Sequence, residues 1–129
     1  MIVVDTSTVL ELLLHTAAGE RHADRVFASE RHAPHLIDLE FTNALRRFAR
    51  LGTLNAVEAF ETLEVFHDFA IERHDHIKLL RRVWELRDAI STYDASYVAL
   101  AEMLDAPLLT FDGKLSRTHG HQAKIELLS

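Results

Sequence analysis

Four carboxylates, Asp5, Glu40, Asp94 and Asp112, are the residues whose type and placement could do chemistry together. Each alone has an ordinary role. Asp5 follows a β-branched run and could cap the next helix. Glu40 falls near a helix start, where the dipole favours an acid. Asp94 stands three residues after Ser91, as the acid of a capping box would. Asp112 precedes Gly113, as in a turn. Taken together they are less ordinary. Asp5 and Asp112 sit where strands are expected to end, and Glu40 and Asp94 in the first turns of expected helices. In a parallel sheet those places share one edge. Ionised carboxylates gathered there repel one another unless some are protonated or a cation intervenes. Oxygen-only ligands favour Mg²⁺ or Mn²⁺ over zinc. Such a group suits phosphodiester hydrolysis, in which metal lowers the pKa of an attacking water and stabilises the leaving oxygen.

The elements that must position these acids follow from periodicity. Ile2-Val3-Val4 reads as a strand, with Ser7 as cap of a helix through about Leu14. A polar helix is expected over about 19–29, and a short edge strand at His32–Pro34, because proline is tolerated at an edge. Ile37, Phe41, Ala44, Leu45 and Phe48 recur at helical spacing and predict a helix from about Leu36 to Leu51, ended by Gly52. Asn55 and Glu58 open the next helix as a capping box. Phe69-Ala70-Ile71 reads as a strand, and 76–87 as a helix with Ile77, Leu80 and Trp84 along one side. Ser91 or Thr92 caps a helix over Tyr93–Leu104 that is apolar nearly all round and therefore buried. Leu108-Leu109-Thr110 reads as a strand, and Ile125-Glu126-Leu127 as a final edge strand. Strands alternating with helices predict an α/β fold, a mainly parallel sheet with helices on both faces. Ligands in such sheets bind beyond the carboxyl ends of the strands.

At about 100° per residue, Glu40 lies on the border of the Ile37–Phe48 stripe, with Asn43, Arg47 and Arg50 on the same flank. An acid followed by an amide and two bases suits a groove with metal at one end and phosphates further along. For Arg50 alone, a solvated flank is the simpler reading.

Composition bounds the rest. The chain has 129 residues, 48% of them hydrophobic, which suits one domain over 1–129 with a single core. There is no cysteine, so no disulfide framework and no thiolate metal site exist. No apolar run approaches the roughly 18 residues of a membrane span, and Asp5 breaks any signal-peptide pattern. A cytoplasmic protein is expected. The formal net charge of −6 argues against a nonspecific nucleic-acid binder, unless bound cations supply the positive charge. Nine histidines are many. His74 and His76 flank Asp75, and His119 and His121 flank Gly120, without the four-residue spacing of a zincin-type pair. Surface histidines are the expectation.

With these residues in hand, the chain resembles the PIN-domain proteins, specifically the VapC toxins of bacterial toxin–antitoxin pairs. The resemblance rests on Ile2-Val3-Val4-Asp5-Thr6-Ser7, and on Pro34-His35-Leu36 leading to Glu40 and Asn43-Ala44-Leu45-Arg46-Arg47. It rests also on Thr92-Tyr93-Asp94-Ala95 through Tyr97-Val98-Ala99-Leu100-Ala101, and on Ala106-Pro107-Leu108-Leu109-Thr110-Phe111-Asp112. It implies a PIN-like fold and a Mg²⁺- or Mn²⁺-dependent endoribonuclease acting on RNA such as tRNA, rRNA or mRNA. It also implies that Asp5, Glu40, Asp94 and Asp112 are the catalytic, metal-holding acids, with Ser7 as the hydroxyl that often follows the first Asp by two positions. The flank beside Glu40 adds Asn43 as a supporting amide and Arg47 and Arg50 as candidate contacts to the RNA. The resemblance further implies a homodimer inhibited by a small VapB-type antitoxin. Three rivals are weaker. A haloacid-dehalogenase-like phosphatase needs a second Asp where Ser7 stands. A non-catalytic α/β binding module would leave the acids scattered. A receiver-type signalling domain needs acids after its first and third strands and a Lys after its fifth.

Overall fold

The computed structural model describes residues 1–129. Five short strands form one parallel sheet: β1 (Ile2–Val4), β2 (Arg31–Pro34), β3 (Glu72–His74), β4 (Leu108–Thr110) and β5 (Ile125–Leu127), in the order β3-β2-β1-β4-β5. The chain first winds outward from β1 to β3. It then crosses back to place β4 on the other side of β1. The point where the winding reverses therefore lies between β1 and β4, where a crevice opens at the carboxyl ends of the strands.

Seven helices cover the sheet: α1 (Thr6–Leu13), α2 (Ala17–Ala28), α3 (Ile37–Leu51), α4 (Ala56–Asp68), α5 (Leu80–Glu85), α6 (Thr92–Leu104) and α7 (Gly113–Ser116). The α6 helix lies on β1, β2 and β4, and α5 packs on α6. Every residue from Ala95 to Ala101 is buried, as its nearly all-apolar sequence requires. Ile37, Phe41 and Leu45 form the buried stripe of α3, which packs on α4 through the stacked rings of Phe41 and Phe66. Gly52, at φ 77°, takes the left-handed conformation that ends α3. Gly19 has a packing reason: a Cβ there would stand 2.0 Å from the Glu11 carbonyl oxygen, so only glycine lets α2 approach α1 this closely. Asn55 and Glu58 make the expected capping box of α4. No helix is long and apolar enough to cross a membrane.

Several local expectations are corrected. The cap of α1 is Asp5, whose carboxylate accepts from the Thr8 N–H; Ser7 lies inside the helix. The β2 strand is internal, because β3 pairs along its outer side. Pro34 is tolerated there as its last residue. The third strand is Glu72–His74 rather than Phe69–Ile71; Phe69 caps α4 and packs its ring against Phe27. The segment 76–87 is not one helix with an Ile77, Leu80 and Trp84 core stripe. It begins as a 3₁₀ turn over Ile77–Leu79, and those three side chains are exposed while Leu79, Val83 and Leu86 are buried. A change from 3₁₀ to α geometry shifts the inward face by a residue, which a single 3.6-residue period does not anticipate. His32 is buried, contrary to the expectation that histidines stay on the surface.

Candidate active site

The crevice between β1 and β4 is where the acids meet. A cavity of about 330 Å³ is lined by Asp5, Glu40, Asp94 and Asp112, with Ser7, Asn43 and Arg47 also on its wall. Of the residues singled out in the sequence, only Arg50 lies off this cavity, exposed in the last turn of α3. A larger cavity of about 570 Å³ lies elsewhere, beside Asp38, Phe66 and Arg73. It holds only two acids, Asp38 and Glu64, and its Asp38 is already paired with Arg73 at 2.7 Å. Size alone therefore does not mark the chemistry.

Asp5 is held from all sides. Its Oδ1 accepts from Ser7 Oγ at 2.7 Å, from the Thr8 N–H at 3.0 Å and from Thr8 Oγ1 at 3.1 Å. Its Oδ2 accepts only from the Thr110 hydroxyl, on the neighbouring strand. Burial raises its pKa against the opposing pull of these donors. Oδ2 thus keeps a lone pair for a further partner. Ser7 is a brace: its Oγ also accepts the Phe111 N–H at 2.9 Å. The position where a haloacid-dehalogenase-like phosphatase needs its second carboxylate is therefore occupied by a hydroxyl tying β1 to β4.

Glu40 stands in the first turn of α3, where the unsatisfied amides favour an acid. Its Oε1 accepts from Thr6 Oγ1 at 2.9 Å and from Tyr97 OH at 2.6 Å. Burial, together with the Glu40 charge, pushes the Tyr97 hydroxyl well up, so it remains a donor. Asp94 is half-buried in the first turn of α6, where the Asp94 N–H donates to its cap Ser91 at 3.4 Å. Burial raises the Asp94 pKa, and the charges of Asp112 and Glu40 raise it further, against the Ser91 hydroxyl and Lys114. Asp112 caps α7 through Oδ1, which accepts the Lys114 N–H at 2.9 Å.

These side chains fit a hard divalent cation. All the donors are carboxylate oxygens, and the repulsion that Asp112 and Glu40 impose on Asp94 is what such an ion relieves. The acids share a cavity rather than one tight knot: no three of them bring oxygens within 4.8 Å of one another. The spacing leaves room for water among the ligands, as Mg²⁺ prefers. Sequence reasoning missed Thr6, Thr110 and Tyr97. Tyr97 stands one turn after Asp94, so helical spacing already placed it beside the acids. Thr110 stands two residues before Asp112 at the strand end, but nothing in its sequence context set it apart from an ordinary strand threonine.

A fold that gathers acids at the reversal of a five-stranded parallel sheet is that of the PIN domain, and the PIN-domain model matches residues 2–120. VapC ribonuclease Mb0985 of Mycobacterium bovis is 41% identical, over 99% of this chain and 98% of its own. Ribonuclease VapC12 of Mycobacterium tuberculosis is 36% identical over the whole of both chains. Among solved structures, VapBC2 of Rickettsia felis, bound to a DNA fragment from its promoter, superposes with a TM-score of 0.73. That match covers 100% of both chains at 16% identity, a likeness of fold. The chain belongs to the PIN-domain family and, within it, to the VapC ribonucleases.

Proposed function

We propose that this chain is a Mg²⁺- or Mn²⁺-dependent endoribonuclease, the toxin of a toxin–antitoxin pair, acting in the cytoplasm and inhibited by a VapB-type partner. The observation that carries this reading is the convergence of Asp5, Glu40, Asp94 and Asp112 on one cavity in a chain of this family. The four acids would hold the cation. When bound, the ion supplies a water of lowered pKa and positive charge for the leaving oxygen. The chain's own residues do the rest. Thr6 and Tyr97 orient Glu40, while Ser7, Thr8 and Thr110 orient Asp5. Asn43 and Arg47, on the same wall, suit the phosphates of the RNA backbone. The net charge of −6 makes this local base important, because the protein as a whole repels RNA.

Exposed apolar side chains support the partner and homodimer readings. Val57 and Phe60 on α4 are 66% and 59% exposed, and Trp84 on α5 is 67% exposed. The test is cleavage of purified cellular RNA by the protein. Activity should stop with a chelator, return with Mn²⁺, and stop again with the cognate antitoxin. Cleavage that persists through chelation contradicts the metal role.

A further inference from the structure

Away from the acids, β2 and β3 bring a second set of ligand-type side chains together. Their register pairs His32 with Glu72 and Pro34 with His74. Strand alternation therefore puts His32, Glu72 and His74 on one face. Arg73, between the last two, turns to the other face, over the Phe66 ring and against Asp38. His32 is only 3% exposed. Its Nδ1 lies 2.8 Å from His74 Nε2 and 3.7 Å from Glu72 Oε2. Ligand atoms of these three residues all lie within 4.8 Å of one another. His76, further along, is already engaged, because its Nε2 accepts the Leu36 N–H at 2.9 Å.

The other nitrogen of the buried ring decides its role. His32 Nε2 lies 2.6 Å from Glu30 Oε1. An ionised Glu30 accepts the Nε2 proton and leaves the lone pair on Nδ1, aimed at His74 and Glu72. A carboxylate behind the remote nitrogen is the arrangement that fixes the tautomer and raises the basicity of metal-binding histidines.

We propose that His32 Nδ1, His74 Nε2 and Glu72 Oε2 form a second metal site, for a borderline divalent transition ion such as Zn²⁺, with water as fourth ligand. Two imidazoles and a carboxylate suit zinc, nickel or copper, whereas the oxygen-only cleft suits Mg²⁺ or Mn²⁺, so the two sites sort ions by chemistry. Tetrahedral nitrogens bonded at ~2.0–2.1 Å stand about 3.3 Å apart, so the rings need to open from their present 2.8 Å. His74 moves its ring proton to Nδ1 to free Nε2. Glu72 belongs to the edge strand and its side chain is 62% exposed, so it can close on the ion with little resistance. The ion would clip β3 to β2, and its effect should be on stability rather than on RNA cleavage.

The test is a calorimetric titration of Zn²⁺ into the full chain under excess Mg²⁺, which occupies oxygen-only sites. The wild type should bind one Zn²⁺ and gain melting temperature on binding. His74→Gln and Glu72→Gln change side chains outside the core and should fold. His74→Gln should lose at least about tenfold in affinity, as ligand changes exceed the effect of second-shell ones, and should show no zinc-dependent gain in melting temperature. X-ray absorption at the zinc edge should report two imidazoles in the wild type and one at most in His74→Gln. No Zn²⁺ binding by the wild type, or undiminished affinity in His74→Gln, overturns the proposal.

Discussion

The Tyr97 hydroxyl donates to Glu40 Oε1 at 2.6 Å and so joins α6 to α3 across the mouth of the acidic cavity. Thr6, from the start of α1, donates to the same oxygen at 2.9 Å. Side chains from three helices thus meet at one carboxylate oxygen.

Tyr97→Phe keeps the buried ring and removes only the donor. It should cost about 1 kcal/mol of stability, the usual worth of one hydrogen bond. Because Thr6 still holds Glu40, cleavage should fall by roughly tenfold, equivalent to about 1.4 kcal/mol in the barrier, rather than vanish. Denaturant melts beside initial cleavage rates check both numbers. Unchanged rates contradict the positioning role.

Thr110→Val replaces a hydroxyl by a methyl of nearly the same shape. The buried Asp5 loses the one donor on Oδ2, and the Asp112 N–H loses its 3.0 Å acceptor. A stability loss of about 1–3 kcal/mol is expected for leaving buried polar groups unpaired. Urea unfolding measures it.

The pH dependence of stability should have an identifiable acid component. Two hydrogen bonds from Arg82, at 2.7 and 3.0 Å, hold Glu102 below the usual carboxylate range, helped by the Gln122 N–H. In acid the unfolded chain protonates Glu102 before the folded chain does. The contribution is therefore present above the ordinary glutamate range and is lost as pH falls through the depressed value. Its size is about 1 kcal/mol after solvent screening of the half-exposed Arg82. Glu102→Gln should flatten this part of the acid limb in melts taken across pH.

Arg47 and Arg50 should separate in salt dependence. Arg47 lines the cavity and Arg50 does not. Arg47→Ala should reduce the slope of log affinity against log salt by about 0.7, the value per phosphate contact on a single strand. Arg50→Ala should change it less. Binding of a nonhydrolysed RNA at several salt concentrations decides this, and equal slopes for both variants contradict the placement.

The acids were legible in the sequence because strand ends and helix starts are marked by composition. A β-branched run stops at Asp5, and Ser91 announces the turn that holds Asp94. The order of the strands was not legible. Only the sheet shows that β4 lies beside β1, which is why the Thr110–Asp5 contact went unseen across 105 residues. The β3 strand was displaced by a turn of chain, because Phe69 and Ile71 look like strand residues but are buried as the cap and exit of α4. The buried His32 was missed for a similar reason: its partners Glu72 and His74 come from a strand with no apolar residue to announce it.

The most direct measurement is Mn²⁺ binding and RNA cleavage by wild type and Asp94→Asn over the same Mn²⁺ titration, with circular dichroism to establish folding. Ser91, not Asp94, caps α6, and Asn relieves the repulsion from Asp112 and Glu40, so the variant should fold at least as stably as wild type. With one charged ligand gone, Mn²⁺ affinity should fall, and cleavage should drop at least about 100-fold at metal concentrations that saturate the wild type. A folded Asp94→Asn that binds Mn²⁺ and cuts RNA as wild type does would contradict the account.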